Sequence, residues 1–231
     1  MFLPCYQAMS ASEFSVCSPL PQHLAWMSCR FSQSNPGLSN LPKALPEGSM
    51  VILDDLTPIC GHDPAMIAYI LHGIVKSFGC SGVLLDFQRP GVSETVELSR
   101  YLVEALPCLV GVTEFYGKDL DCPLFLTPPL RTPPEEYLQA WQGRELWLEL
   151  TSDAEEALVT ESGCRIAALP GQPLPNPVHQ DKALLCHYHW SFDGQQVRFL
   201  IQRTREDLQG LLKMAADFGV TRGLGLYQQL K

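Results

Sequence analysis

Positive charge is what this sequence has least of. Its 16 Lys and Arg residues stand against 25 Asp and Glu, for a formal net charge of −9, and they are scattered. No basic run exists that could neutralise successive phosphates, so nucleic acid is not an expected partner. Long apolar runs are missing too: no window reaches the roughly 18 uninterrupted apolar residues of a membrane span. No Lys or Arg precedes Arg30, which removes the charged start expected of a signal peptide. Neither a membrane nor secretion is expected. There is no C-x-x-C pair among the nine cysteines, whose odd count and apolar surroundings fit reduced, buried thiols in a cytoplasmic protein. Cys5, Cys17 and Cys29 are evenly spaced, but no His or second Cys lies at ligand distance from them, so no metal is expected there. No glycine-rich phosphate loop follows an early strand, and no cofactor is expected.

What is present is enough apolar material for a large core. Hydrophobic residues make up 46% of 231 and charged residues 18%, a balance compatible with one domain over 1–231. The first 49 residues are broken by Pro19, Pro21, Pro36, Pro42 and Pro46, with strands expected at Leu24 to Phe31 and at Met1 to Met9. From Met50 the pattern is regular. Met50 to Leu53 reads as a strand buried on both faces, ending in Asp54 and Asp55, which a loop should carry into solvent. Asp63 and Pro64 open a helix whose apolar positions recur at helical spacing from Met66 to Phe78, stopped by Gly79. Gly82 to Phe87 is the next strand, giving a crossover unit of the length that parallel strands need.

The alternation continues. A helix is expected near Ser93 to Leu106, strands at Leu109 to Thr113 and Leu124 to Leu126, and a short helix to Trp141 opened by a capping box over Thr132 to Glu135. Leu146 to Leu150 reads as a strand, and Ser152 or Asp153 as the cap of another helix. Ile166 to Leu169 follows as a strand, then a proline-rich loop over Pro170 to Pro177. A hairpin from Leu184 to Trp190 turns at Phe192, Asp193 and Gly194 into Val197 to Ile201. Thr204 caps the last helix, Gly219 ends it, and Gly223 to Tyr227 is the final strand. Seven or eight repeats of strand and helix indicate an α/β fold, a (β/α)8 barrel of mostly parallel strands with a C-terminal hairpin insertion.

In such a barrel the residues just past each strand gather at one mouth. Asp54, Asp55, Asp86, Gln88, Glu114, Tyr116 and Tyr227 are therefore the candidate lining of a single pocket. Paired acids such as Asp54 and Asp55 serve as catalytic carboxylates or metal ligands, and equally as turn and cap acceptors. Glu114, beside Phe115 and Tyr116, is placed to have its proton affinity raised by apolar neighbours. His187 and His189 share one side of a strand, a geometry that holds a metal, but no third ligand is identifiable by spacing. Among Trp141, Trp147, Trp190 and Tyr227, whose rings suit either a core or a sugar face, Trp190 and Tyr227 are the candidates for ligand stacking.

Two segments resemble the family-18 glycoside hydrolases, the chitinase-like barrels, and especially their spore-cortex-lytic relatives. Ser81 to Gln88 lies on the family strand pattern Asp-Gly-x-Asp-x-Asp-aromatic-Glu, with Gly82, Asp86 and Phe87 matching. His189 to Tyr227 is similar to the family's closing hairpin, helix and final strand. Together they cover about a third of the chain. The resemblance implies that Asp86 stands where the family orients the acetamido group of its substrate. Gln88 stands at the family's acid, where an amide has no proton to give a leaving glycosidic oxygen. Ser81 and Leu84 replace the other two aspartates, and no Tyr is followed by Asp as in the family's Met-x-Tyr-Asp strand end.

Three readings follow. One is a degenerate barrel that binds a carbohydrate or a small polar ligand without the family chemistry. Another is a hydrolase whose acid has moved to Glu114 or Asp55. The third is an interaction scaffold whose mouth is filled by its own side chains.

Overall fold

The computed structural model describes residues 3–34, 36–59, 61–89, 92–169 and 171–231. Met1, Phe2, Cys60 and Pro170, read above as strand, buried thiol and loop, lie outside the described residues. From the N-terminal side, β1 (Cys5–Met9), α1 (Ala11–Val16) and β2 (Leu24–Phe31) form a first unit, and β3 (Leu38–Ser39) folds back antiparallel on β2. Then β4 (Met50–Asp54), α2 (Pro64–Phe78), β5 (Gly82–Asp86), α3 (Ser93–Ala105), β6 (Leu109–Thr113), α4 (Glu114–Gly117), β7 (Leu124–Leu126), α5 (Pro134–Gln139) and β8 (Leu146–Glu149) alternate. Five antiparallel strands come next: β9 (Ala154–Thr160), β10 (Gly163–Leu169), β11 (His179–Asp181), β12 (Cys186–Phe192) and β13 (Val197–Gln202). The described chain closes with α6 (Arg205–Ala215), β14 (Val220–Leu226) and α7 (Tyr227–Leu230).

β1 pairs in parallel with both β2 and β14, which joins the two ends of the sheet. With β3 set aside, the nine-stranded sheet is a closed barrel of eight parallel strands whose neighbours follow chain order. The expected (β/α)8 architecture is thus observed. α2 shows how local sequence builds it. The Asp63 carboxylate accepts from the Ala65 amide, Pro64 occupies the first turn, and Gly79 adopts φ 62°, a left-handed conformation suited to glycine. Between these stops Ile67, Leu71, Ile74 and Val75 are buried against the outer faces of the strands.

Inside the barrel Tyr6, Met50, Ile52, Leu84, Phe125 and Trp147 form a separate apolar plug. Trp147 is its largest member, and Gly111 makes room for it: a Cβ there would sit 2.3 Å from the indole. The Arg222 guanidinium lies 4.7 Å over the same ring, stacked as a cation on an aromatic face.

Several expectations need correction. Ser152 or Asp153 caps no helix. The segment after them is β9, held between β10 and β13 despite the helix-favouring Ala and Glu residues within it, because two flanking strands satisfy its backbone. The expected hairpin is accordingly part of a five-stranded sheet in the order β10, β9, β13, β12, β11. The capping box over Thr132 to Glu135 does not form: Pro133 is the cap of α5 and no side chain bonds there. The strand expected from Leu184 starts at Cys186 as β12, since Leu185 has φ 50° and belongs to the turn. Tyr227 begins α7 instead of ending β14. Cys164 is exposed, against the expectation of buried thiols, while Cys29 and Cys186 are fully buried; the eight described cysteines are all free. Among the described residues no helix is long and apolar enough to cross a membrane.

Candidate functional site

Strand alternation decides which side chains reach the barrel mouth. Met50 and Ile52 point into the barrel, so two residues on Asp54 does as well; Leu84 places Asp86 inward, and Trp147 places Glu149 inward. These three carboxylates end their strands at the same rim, and Asp54 and Asp86 are direct partners across β4 and β5. They line a cleft of about 220 Å³, together with Arg30, Asp55, Gln88, Asp153 and Gln229. Its apolar part comes from Met27, Ile52, Phe125 and Leu224.

Each acid is held differently. Asp54 is 9% exposed, accepts from Arg30 Nε at 3.2 Å and from the Leu56 amide at 3.0 Å. Asp55, 4% exposed, takes the Gln88 and Arg89 amides at 3.0 and 2.9 Å, one on each oxygen. Contrary to the expectation above, the pair is not carried into solvent: Asp55 turns inward to pin the loop after β5 across the loop after β4. Asp86 accepts from Gln88 Nε2 at 2.6 Å. Glu149 accepts from the Thr127 hydroxyl, and Asp153 from Gln229 Nε2 at 2.9 Å.

Burial pushes the Asp86 carboxyl above the usual carboxylate range; the Gln88 hydrogen bond opposes this, and the negative Asp54 and Asp55 add to it. Glu149 is raised in the same way, first by burial and then by the charges of Asp86 and Asp153, with Thr127 opposing. Glu149 thus feels the charge of Asp86 from three strands away round the mouth.

Of the residues singled out in the sequence, Asp54, Asp55, Asp86 and Gln88 meet in this cleft, and Glu114, Tyr116, Trp190 and Tyr227 do not line it. Glu114 accepts the Tyr137 hydroxyl at 2.8 Å. Tyr116 is buried edge-on against Phe87, its hydroxyl bonded to the Arg89 carbonyl. Trp190 is half exposed on β12, and the Tyr227 hydroxyl accepts from the Cys17 thiol at 3.4 Å. His187 and His189 do share a face, yet His187 Nδ1 pairs with Asp207 at 2.7 Å and His189 Nδ1 with the Pro177 carbonyl at 2.9 Å. Among the described residues no group of three His, Cys, Asp or Glu is arranged to hold a metal.

Sequence reasoning passed over Arg30, Glu149, Asp153 and Gln229. Glu149 carried a usable signal: a lone acid two residues beyond an inward Trp, inside an otherwise apolar strand. Arg30 and Gln229 carried none, since their partners lie on distant segments.

No protein-family profile and no curated protein matches the sequence. Solved structures do match its fold. A family-18 N-acetylglucosaminidase from Paenibacillus barengoltzii superposes with a TM-score of 0.63 at 10% identity, covering 99% of this chain and 97% of that one. The spore cortex-lytic enzyme SleL of Bacillus cereus gives 0.62 at 9% identity, over 99% of this chain and 71% of that one. A GH18 chitinase from Cycas revoluta gives 0.60 at 12% identity, over 98% and 95%; it is a double mutant, one change being glutamate to glutamine, in complex with (GlcNAc)4. The chain has the fold of the chitinase-like family-18 barrels.

Proposed function

We propose that this protein binds a carbohydrate in the cleft at the barrel mouth and does not cleave it by the family-18 route. The observation that carries this reading is the pairing of Asp86 with Gln88. The aspartate that the resemblance assigns to substrate binding is retained at the rim. The acid position next to it is an amide already committed to that aspartate, and an amide cannot protonate a leaving oxygen. The Cycas chitinase, in a variant that carries a glutamate-to-glutamine change, is seen with a bound sugar chain. A glutamine in this fold is therefore compatible with binding.

An acid relocated to Asp55 or Glu114 has less support: both Asp55 oxygens are taken by backbone amides, and Glu114 is outside the cleft. A scaffold with a filled mouth is disfavoured by a cleft of about 220 Å³ lined by acids and an apolar wall. The test is a thermal-shift titration with chito-oligosaccharides on wild type and on Asp86→Ala, with a parallel assay for released sugar. A ligand that binds only the native state raises its melting temperature. The expected result is a shift in wild type, its loss in Asp86→Ala, and no released sugar. The absence of any shift sinks the carbohydrate reading, and sustained release of sugar sinks the non-catalytic part.

A further inference from the structure

Charge in the cleft is unbalanced. Among the described residues Arg30 is the only cation in its lining, and its guanidinium is engaged with Asp54. Asp55 accepts two backbone amides, which fix its orientation but leave its charge. Asp86, Glu149 and Asp153 likewise receive hydrogen bonds only from neutral groups, the Gln88 amide, the Thr127 hydroxyl and the Gln229 amide, and of these Asp86 and Glu149 end barrel strands at the rim. A neutral donor satisfies one lone pair of a carboxylate but leaves its charge in place, and in a part-buried cleft that charge is weakly screened. The apolar wall formed by Ile52, Phe125 and Leu224 beside them suits the carbon face of a pyranose.

Resting on the carbohydrate reading above, we infer that the sugar selected by this cleft carries a free, protonated amino group, with Glu149 and Asp86 as the residues that choose it over the N-acetylated form. An acetamido group is neutral and offers these carboxylates one N–H donor, as Gln88 and Thr127 already do. An ammonium offers three donors and the missing positive charge. Burial raises the proton affinity of both carboxyls, and negative neighbours add to it, Asp54 and Asp55 at Asp86, Asp86 and Asp153 at Glu149; a cation seated beside them opposes that rise. Glu149, three strands round the barrel from Asp86, is thus a specificity residue outside the two segments that resemble the family pattern.

The test is isothermal titration of the glucosamine tetramer and of the N-acetylglucosamine tetramer, at a pH where the amine is protonated, in low and in high salt. Wild type, Glu149→Gln and Asp86→Asn are compared, each checked for native circular dichroism. The expected result is a preference of about tenfold or more for the free amine in wild type, shrinking as salt rises. The ratio of the two affinities should collapse toward unity in Glu149→Gln, with Asp86→Asn giving the same collapse as an independent check. Equal or tighter binding of the N-acetylated tetramer by wild type overturns the inference while leaving the carbohydrate reading intact. So does a preference that both variants retain. Binding of neither tetramer overturns both.

Discussion

At the scale of single residues, the carboxylates of the mouth are a cost to the fold. Glu149 and Asp86 are held above the ordinary carboxylate range by burial and by negative neighbours. Below the ordinary value both folded and unfolded chains are protonated and nothing is lost. As pH rises from there through the raised value, the folded state must take up a buried charge that the unfolded chain carries freely, so stability falls. Glu149→Gln, which keeps an acceptor for Thr127, is therefore expected to raise the melting temperature at neutral pH and to leave it nearly unchanged in acid. Melting curves at the two pH values check this. Gly111 is the opposite case, a residue that the fold requires. A methyl group there meets the Trp147 ring at 2.3 Å, and Gly111→Ala should lose about 1 to 3 kcal/mol in a denaturant titration, as overpacked cores do.

At the scale of elements, local chemistry and tertiary pairing divided the work. α2 and α6 were legible because their stop signals are self-contained. In α6 the Thr204 hydroxyl accepts the Asp207 amide, and Asp207 returns a bond to the Thr204 amide. Burial raises the Asp207 carboxyl, but the bonds from Thr204 and His187 and the charge of His187 outweigh it and bring it below the ordinary range. Its contribution is present at neutral pH and is lost as pH falls through that lowered value. Thr204→Ala is expected to cost about 1 kcal/mol, measurable by chemical denaturation. β9 was illegible for a physical reason. Ala154 to Thr160 has the composition of a helix, and only its two neighbouring strands, one of them some 40 residues away in sequence, make it a strand. The same limit applied to the site. Asp54, Asp86 and Gln88 were readable from strand ends, whereas Tyr116 and Tyr227 were drawn away by packing partners in other segments.

At the scale of the whole molecule, the barrel is closed by β1 lying between β2 and β14, so the proline-broken first segment is an integral part of it. The five-stranded insertion is fastened to the mouth from one side. Arg203, 2% exposed, donates to the Pro128 and Pro129 carbonyls in the loop after β7, and Cys186 and Ile201 pack on Leu130. Thiol accessibility reads out this arrangement. Burial pushes Cys29 up to about 12 and Cys186 up to about 11, while Cys164 is exposed on the edge strand β10. Cys164 should react with a thiol reagent at once in native buffer, and Cys29 and Cys186 only at the rate of unfolding. Mass mapping of the labelled peptides distinguishes them.

The central claim is that the mouth holds a sugar and leaves it uncut. Its most direct test is a crystal structure after prolonged soaking with a partially N-acetylated glucosamine tetramer. The account predicts an intact chain seated in the cleft over Asp86, Gln88 and Glu149. A cleaved sugar in that cleft, or a chain bound elsewhere with the cleft empty, would contradict it.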